Sequence, residues 1–432
     1  MRAFVAVFFA ILFVSGCTWS SAQPLTSEDA GIPEVSEDAA VNATTPPPDD
    51  GSLPFVANCA AALGGTSSVL AAGGQETCSV TSTNALWCWG SNVNGQLGTA
   101  TPAAVTIPGA TEAITGSFVP AQITSAGTAV TSVAVGDFHA CALSKGTGGG
   151  SEVQCWGDNA YGQLGGGAAT MSQTPVTVQG LTNVTAIAAG GYHTCALAGG
   201  SVMCWGNNAD GQLGDGTTSN QSSPVAVQGL SGATAIVAGG AHTCALTSGG
   251  GVVCWGLNNY GQLGTGSTVN SSTPVNVSGL ATGVKAIATG NSHTCALGDS
   301  GSVMCWGWNE YGQLGNNSTN ASYVPVSVTG LSPATAIATG GDHTCAIVTG
   351  GAVWCWGNDQ AGQLGDGQCI DSNVPVSVMA VSGSAIAIAA GIEHSCAMLT
   401  GGLLQCWGWN VTGQLGDGTG QDQQTAVKVC GF

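Results

Sequence analysis

Basic residues are almost absent from this chain. Its 432 residues include four Lys and Arg together against 23 Asp and Glu, and Arg2 is the one arginine. Proteins bind nucleic acids through Lys and Arg contacts to phosphate, so this composition excludes nucleic acid as a partner. The same imbalance excludes electrostatic adhesion to anionic lipid.

Long apolar runs and motifs of catalysis are missing as well. The longest apolar run, from Ala3 to Val14, is too short to span a bilayer. The sequence has no serine-nucleophile motif, phosphate-binding glycine loop, CxxC pair or Cys/His cluster at zinc spacing. We therefore expect a protein that is not an enzyme and that holds no cofactor or metal.

The N-terminus is typical of an export signal. Residues 1–16 combine Arg2 with the short apolar run and end in small residues before Cys17. The sequence Val14-Ser15-Gly16-Cys17 resembles the bacterial lipoprotein signal, in which the cysteine is lipidated. The alternative is an ordinary secretory signal with a chance cysteine. We expect a lipid-anchored protein of the bacterial cell envelope (of the outer membrane, if the cell has one) or the cell surface, with no other membrane contact.

Residues 17–52 predict a disordered tether. They are acidic, rich in Pro, Ser and Thr, contain Pro46-Pro47-Pro48 and have no basic residue. Such a segment buries too little apolar surface to offset its ordering entropy. We interpret it as a stalk for the body formed by residues 53–432. An acid-rich ligand segment is the alternative.

The cysteines recur in pairs that flank short turns. Tyr192–Leu197 and Ser201–Trp205 are predicted to form a hairpin around Gly199-Gly200, which places Cys195 directly opposite Cys204. A chain with 18 cysteines, fourteen of them in such positions, predicts disulfides and an oxidising compartment. The predicted pairs are Cys78–Cys88, Cys141–Cys155, Cys195–Cys204, Cys244–Cys254, Cys295–Cys305, Cys345–Cys355 and Cys396–Cys406.

The same unit repeats along the body roughly every 50 residues. Each unit offers four strands, seen in Pro175–Val178, Ala186–Ala189 and the two strands of the hairpin. Small residues suit the strand nearest a crowded axis, and one tryptophan per unit fills the space between neighbours. The repeat predicts an all-β, seven-bladed β-propeller with four strands per blade. The tryptophans are those at positions 89, 156, 205, 255, 306, 356 and 407.

These motifs carry a specific resemblance. The pattern ALxxxGxVxCWGxNxxGQLG, with AxGxxHT before it, resembles the regulator-of-chromosome-condensation repeat from about Leu53 to Phe432. The resemblance implies a seven-bladed propeller. Family members act as exchange factors for a small nuclear GTPase, and a secreted bacterial member inhibits β-lactamases. Export and the missing basic tail exclude the first role, so the resemblance implies a rigid disc that binds another protein.

The two ends of the body are expected to meet. Residues Thr425–Phe432 match the segment that begins at Thr174, position for position. In the other repeats a strand of small residues follows this segment, and the corresponding strand for Thr425–Phe432 lies at the start of the body, near Val69–Ala72. A ring closed by joining the N- and C-terminal segments explains this match. Cys59 and Cys430 would then approach each other, although Cys369 with Cys430 is an alternative pair. An insertion from about Thr99 to Thr131 separates the first two units.

The six histidines occupy one position of the repeat, and Glu76 takes that position in the first unit. We expect each histidine to bond within its own blade. The alternative is a histidine-lined channel that binds a metal, with Glu76 as a seventh ligand; the spread of such groups around a ring opposes it.

Variation between the repeats indicates where a partner binds. Strands and hairpins repeat almost unchanged, whereas the loops that follow Gln-Leu-Gly differ. Tyr161, Tyr260 and Tyr311 lie near these loops, and tyrosine is favoured at binding hot spots. We therefore expect a monomeric protein-interaction module whose partner is a protein of the envelope or a secreted protein. The alternatives are a glycan-binding or glycan-degrading propeller and a structural envelope protein without a ligand.

Overall fold

The structure is a computed structural model that describes residues 65–99, 104–105, 114–127, 129–146, 150–166 and 170–432. Within these ranges the chain forms seven antiparallel sheets and a 3-10 turn at Thr124–Ala126. No helix in the described ranges has the length and apolarity needed to cross a bilayer. Cys17, Cys59 and the predicted segments 1–16 and 17–52 lie outside these ranges.

Each sheet is one blade and contains consecutive strands in chain order. A two-residue strand, Ala104–Val105, adds a fifth strand to the first blade. The four main strands are Ser67–Gly73, Glu76–Thr81, Leu86–Ser91 and Ile114–Gln122 in blade 1; Val130–Val135, His139–Lys145, Ser151–Asp158 and Met171–Thr177 in blade 2; Val184–Ala189, His193–Ala198, Ser201–Gly206 and Gln221–Ala226 in blade 3; and Ala233–Ala238, His242–Thr247, Val252–Gly256 and Ser271–Asn276 in blade 4.

The remaining blades repeat this plan with strands of five or six residues. Their strands are Val284–Thr289, His293–Gly298, Val303–Gly307 and Ser322–Ser327 in blade 5; Ala334–Thr339, His343–Val348, Val353–Gly357 and Ser372–Ser377 in blade 6; and Ala385–Ala390, His394–Leu399, Leu404–Gly408 and Gln423–Lys428 in blade 7. The predicted seven-bladed, all-β propeller is confirmed.

The order of strands within a blade differs from the sequence interpretation. The segment around Pro175–Val178 was expected to open a unit, but Met171–Thr177 is the outermost strand of blade 2. The alanine-rich segment, Val184–Ala189, is the first strand of blade 3. Part of the expected insertion is also regular structure, because Ile114–Gln122 is the fourth strand of blade 1 and Ala104–Val105 pairs with it.

The hairpin disulfides form as predicted. Cys195 pairs directly with Cys204 in the register of the second and third strands, with a Cα–Cα distance of 4.1 Å. Cys369 and Cys430 each belong to a disulfide other than these seven. All fourteen hairpin cysteines are fully buried. The seven disulfides that they form indicate an oxidising compartment.

The first strands of the seven blades surround an axial channel. The channel encloses about 290 Å³ and is lined by small side chains such as Ala188 and Ala338. A glycine ends or follows each first strand, and a Cβ on Gly290 would lie 2.4 Å from the carbonyl oxygen of Gly340 in the next blade. The seven glycines form a collar that requires the absence of a side chain. They are Gly73, Gly136, Gly190, Gly239, Gly290, Gly340 and Gly391.

The ring closes through the same contacts that join its other blades. Backbone N–H groups next to the collar donate to carbonyls of the following blade, at 3.0–3.4 Å, around the whole ring. At the closure, Ile392 N of blade 7 donates to Gly74 O of blade 1, while Gly391 packs against Gly73. The first and last blades therefore join as predicted, by packing two complete sheets rather than by sharing one.

Antiparallel order gives the disc two different faces. The first and third strands end, and the second and fourth begin, at one edge of every blade. We name this edge the loop face, because the long connections between third and fourth strands start and finish there. The opposite edge carries the tight turns between second and third strands, such as Gly199-Gly200, and is named the hairpin face.

Candidate functional site

Each histidine bonds to the next blade, not to its own. His139 Nε2 lies 2.8 Å from Thr194 Oγ1, and the same contact of 2.7–2.9 Å recurs around the ring. The predicted bond within each blade is wrong, because the side chain crosses the gap between neighbouring sheets. The pairs are His139–Thr194, His193–Thr243, His242–Thr294, His293–Thr344, His343–Ser395 and His394–Thr77.

The hydroxyl of each pair fixes the tautomer of the histidine. Thr194 Oγ1 donates to the carbonyl oxygen of Gln163 at 2.8 Å, so it accepts from the N–H of His139 Nε2. Nδ1 then carries no proton. Burial lowers the pKa of His139 to about 3, with a further contribution from His193. These neutral rings serve the joints between blades and do not form a metal-binding ring in the channel.

The Gln-Leu-Gly motif supplies the rest of the joint. Besides Thr194, the Gln163 carbonyl accepts from Trp205 Nε1 of blade 3 at 2.8 Å. Gly165 packs against the same indole, where an added Cβ would lie 2.8 Å from Nε1. Leu164 inserts into the core between the two blades. Each motif therefore attaches its own blade to the following one, and the repeated tryptophans are packing residues, as predicted.

The joint between blades 1 and 2 lacks the histidine–hydroxyl pair. Glu76 replaces the histidine and Ala140 replaces the hydroxyl-bearing residue. Glu76 is 2 % exposed and its Oε2 has no hydrogen-bond partner within the described residues. Burial raises its pKa well above the usual value. Although Cys78 and Cys88 lie beside it, their disulfide leaves no thiolate to hold a metal.

Aromatic rings gather on the loop face in two places. The first group, which we call cluster A, stacks Phe138 on Tyr192 with ring centroids 5.1 Å apart. Tyr161 meets Tyr192 edge-on at 5.1 Å. Asp137 and Asp158 complete cluster A, since burial and these two carboxylates raise the pKa of Tyr192 to about 12. Tyr192 is therefore a neutral hydroxyl beside two acids.

The second group, cluster B, is built around Trp308. Its ring lies 5.8 Å from that of Tyr260 and 5.4 Å from that of Tyr311. Asp342 and Glu310 also belong to cluster B, because burial and nearby acids, these two among them, raise the pKa of Tyr311. Cluster B thus combines half-buried aromatic rings with carboxylates drawn from neighbouring blades.

The loop face and the hairpin face differ in charge. Lys145, Lys285 and Lys428, the basic residues of the described ranges, all lie at hairpin-face ends of strands. Among the described acids only Glu152 and Asp299 lie at that edge. The loop face consequently carries acids without a balancing lysine or arginine in the described ranges.

The structure places the three predicted tyrosines on this face and joins them to residues that the sequence did not single out as binding residues. Tyr161 belongs to cluster A, whereas Tyr260 and Tyr311 flank Trp308 in cluster B. Phe138 and Tyr192 each come directly before the repeated histidine of their blade. A comparison of that one position across all the repeats would have found both rings.

The sheet topology and the repeated joints define this molecule as a seven-bladed β-propeller. The model of the RCC1-like domain matches residues 47–381, and that of the regulator of chromosome condensation (RCC1) repeat matches residues 385–414. The chain therefore belongs to the RCC1-like domain family.

Known relatives match parts of the chain. The ultraviolet-B receptor UVR8 of Arabidopsis thaliana is 34% identical over 143 residues, which cover 32% of this chain and 32% of that protein. The probable E3 ubiquitin-protein ligase HERC4 of Homo sapiens is 44% identical over 71 residues, covering 16% of this chain and 6% of that protein. The chain thus spans about a third or less of each of these relatives.

Solved structures match more of the ring. Human WBSCR16 is 26% identical with a TM-score of 0.70, covering 80% of this chain and 94% of that chain. Prp20p from Saccharomyces cerevisiae is 23% identical with a TM-score of 0.63, covering 76% of this chain and 81% of that chain. The likeness to Prp20p concerns the fold alone.

Proposed function

We propose that this protein is an exported lipoprotein, anchored through Cys17, that displays its propeller as a protein-interaction module. Residues 17–52 act as the stalk and residues 53–432 as the disc. The partner is a protein of the envelope or a secreted protein, and the loop face receives it.

One observation carries this proposal: the two faces of the disc are built differently. The hairpin face has short turns between second and third strands, whereas the loop face has longer connections of differing sequence and two aromatic clusters. A rigid scaffold with variable loops is a common arrangement for binding. A structural relative also binds proteins: the crystal structure of Prp20p was described together with its binding to Gsp1p and histones.

The rigidity of the loops supports the same role. In blade 3, the buried Asn208 side chain donates to Asp215, Thr217 and Ser219, and its Oδ1 accepts from Leu213 N. The loop is therefore held in one shape before a partner arrives. A preorganised loop loses little conformational entropy on binding, which favours affinity.

Loop exchange tests the binding role. The loops at 215–220 and 417–422 are to be swapped in the full chain, leaving every strand unchanged. Pull-down from envelope and secreted fractions should recover fewer partner molecules with the swapped disc than with the original. Equal recovery by both discs would contradict binding through these loops. Turnover of a glycan or peptide by the purified protein would contradict a role limited to binding.

Lipid anchoring has its own test. The Cys17→Ala protein should lose palmitate labelling and leave the membrane fraction, whereas a Ser15→Ala control should keep both. A Cys17→Ala protein that stays labelled and membrane-bound would contradict the anchor while leaving the binding role untouched.

A further inference from the structure

Asp137 and Asp342 are partly buried carboxylates of the loop face, and the lysines of the described ranges lie at the opposite face. Asp342 Oδ1 is buried and has no hydrogen-bond partner within the described residues. Burial and the neighbouring Glu393 and Glu310 raise the pKa of Asp342 to about 7. At the mouth of the channel, burial alone raises the pKa of Asp137 to about 6. Both sites would gain stability from an approaching positive charge.

Aromatic rings stand beside both of these acids. Phe138 follows Asp137 in the chain and stacks on Tyr192 in cluster A. In cluster B, Tyr311 lies close enough to Asp342 for the carboxylate to raise the pKa of its hydroxyl. A carboxylate next to an aromatic ring suits a lysine or arginine side chain, which pairs with the acid and lies against the ring.

We propose that the loop face binds a lysine- or arginine-rich segment of the partner protein, which crosses the channel mouth and places cationic side chains at clusters A and B. This inference rests on the proposed binding role and specifies the chemistry of the partner. The two clusters belong to different parts of the ring, cluster A to blades 2 and 3 and cluster B to blades 4–6, so one segment that reaches both gains from two anchor points.

Charge also decides against other polypeptide occupants. The chain's own segment 17–52 is acidic and lacks a basic residue, so it is repelled by a face of the same sign. A second copy presenting its loop face meets the same repulsion. An acidic partner would leave Asp137 and Asp342 without counterions and would add like charge beside them.

The probe for this proposal is a fluorescent oligolysine peptide, with oligoarginine as a second cation and oligoglutamate of equal length as the anionic control. Anisotropy titrations of the full chain at physiological salt measure the affinities. The test variant is Asp137→Asn/Asp342→Asn. The matched control is Glu152→Gln/Asp299→Asn, which removes the same charge from the hairpin face. Thermal unfolding verifies that both variants fold.

The unaltered protein should bind oligolysine and oligoarginine but not oligoglutamate. The test variant should lose at least about tenfold in affinity, because neutralising a paired acid leaves the partner's charge unpaired. The control variant should stay within about twofold, because its acids are rim charges outside the site. Affinity should also fall as the pH drops through about 6 to 7, where Asp137 and Asp342 gain protons.

Equal losses in the two variants would show attraction by net charge alone and overturn the proposal. Spermidine binding as tightly as oligolysine would overturn a polypeptide ligand in favour of a free polyamine. Stoichiometric Ca²⁺ binding that the test variant abolishes, with no peptide binding, would overturn it in favour of a metal site. If loop exchange abolishes capture of the partner but the test variant captures the partner normally, the binding role stands and the proposal of a cationic segment is overturned.

Discussion

Ala140 occupies a repeat position at which every other blade carries a threonine or serine hydroxyl. It faces the blade in which Glu76 replaces histidine, so both members of one joint changed together. The carbonyl of Gln96 still accepts from Trp156 Nε1 at this joint. The joint between blades 1 and 2 is therefore held by the Gln-Leu-Gly contact without the histidine link.

Restoring that link should stabilise the ring. The Glu76→His/Ala140→Thr protein regains a hydroxyl that donates to Gln96 O and accepts from the new imidazole. The double substitution should raise the unfolding free energy by about 1–3 kcal/mol, since it also removes a buried, unpartnered carboxyl group. Urea unfolding of the wild type, both single variants and the double variant measures the coupling. If the double substitution changes the unfolding free energy by no more than the sum of the two single substitutions, the two residues do not form the expected link.

The carboxyl of Asp342 makes stability depend on pH. Its pKa is about 7 in the folded protein against an ordinary 3.8, so the unfolded chain loses this proton first as the pH rises. The folded state then binds more protons, and stability falls between about pH 4 and 7. The six histidines act in the opposite direction, because their lowered pKa values make stability rise as the pH increases from about 3 to 6.5.

Asp342→Asn separates the two effects. The variant should match the wild type near pH 4 and become progressively more stable than it as the pH approaches 7. Urea midpoints measured across this range give the difference at each pH, with Asp299→Asn as a control for an exposed acid. A constant difference at all pH values would show that the pKa of Asp342 is the same in the folded and unfolded protein.

At the scale of the element, the end of each first strand is the most constrained backbone in the disc. The added Cβ of an alanine at Gly290 would meet both the Gly340 carbonyl and the ring of its own His293 at 2.4 Å. Such an overlap with backbone is relieved only by moving the blade. The glycine collar therefore sets the spacing of the blades around the axis.

Gly290→Ala should destabilise the propeller by about 1–3 kcal/mol, the usual cost of overpacking. Gly249→Ala is the matched control, because an added Cβ there meets no atom within 4 Å and its φ is not positive. The control should be neutral or slightly stabilising. Denaturation midpoints of the two variants measured side by side test this difference. Equal midpoints would mean that the collar tolerates a side chain.

The sequence predicted the hairpins well and the limits of the blades poorly. Gly199-Gly200 and the opposed cysteines fix the hairpin register locally, and Cys195 pairs with Cys204 as expected. A repeat, however, has no intrinsic starting point, so its pattern does not show that Met171–Thr177 belongs to the preceding sheet. The partners of the histidines escaped prediction for a similar reason: they lie across a gap between blades, which local alternation does not describe.

At the scale of the whole molecule, the ring separates charge between its faces. Lysines lie at the hairpin face and almost all described acids at the loop face, although the chain passes from one face to the other with every strand. The repeat explains this result, because each unit returns to the same two edges. The sequence did not predict the aromatic clusters as groups, since Tyr260 and Trp308 come from neighbouring blades and meet only when the disc is assembled.

Carboxyl footprinting tests the central claim, that the loop face is where the partner binds. Carbodiimide labelling of the full chain, alone and with its captured partner, reports the accessibility of each acid. Glu310 and Glu393 are exposed on the loop face, whereas Asp299 is exposed on the hairpin face. We predict that the partner protects Glu310 and Glu393 and leaves Asp299 labelled. Protection of Asp299 with continued labelling of both loop-face acids would contradict the account.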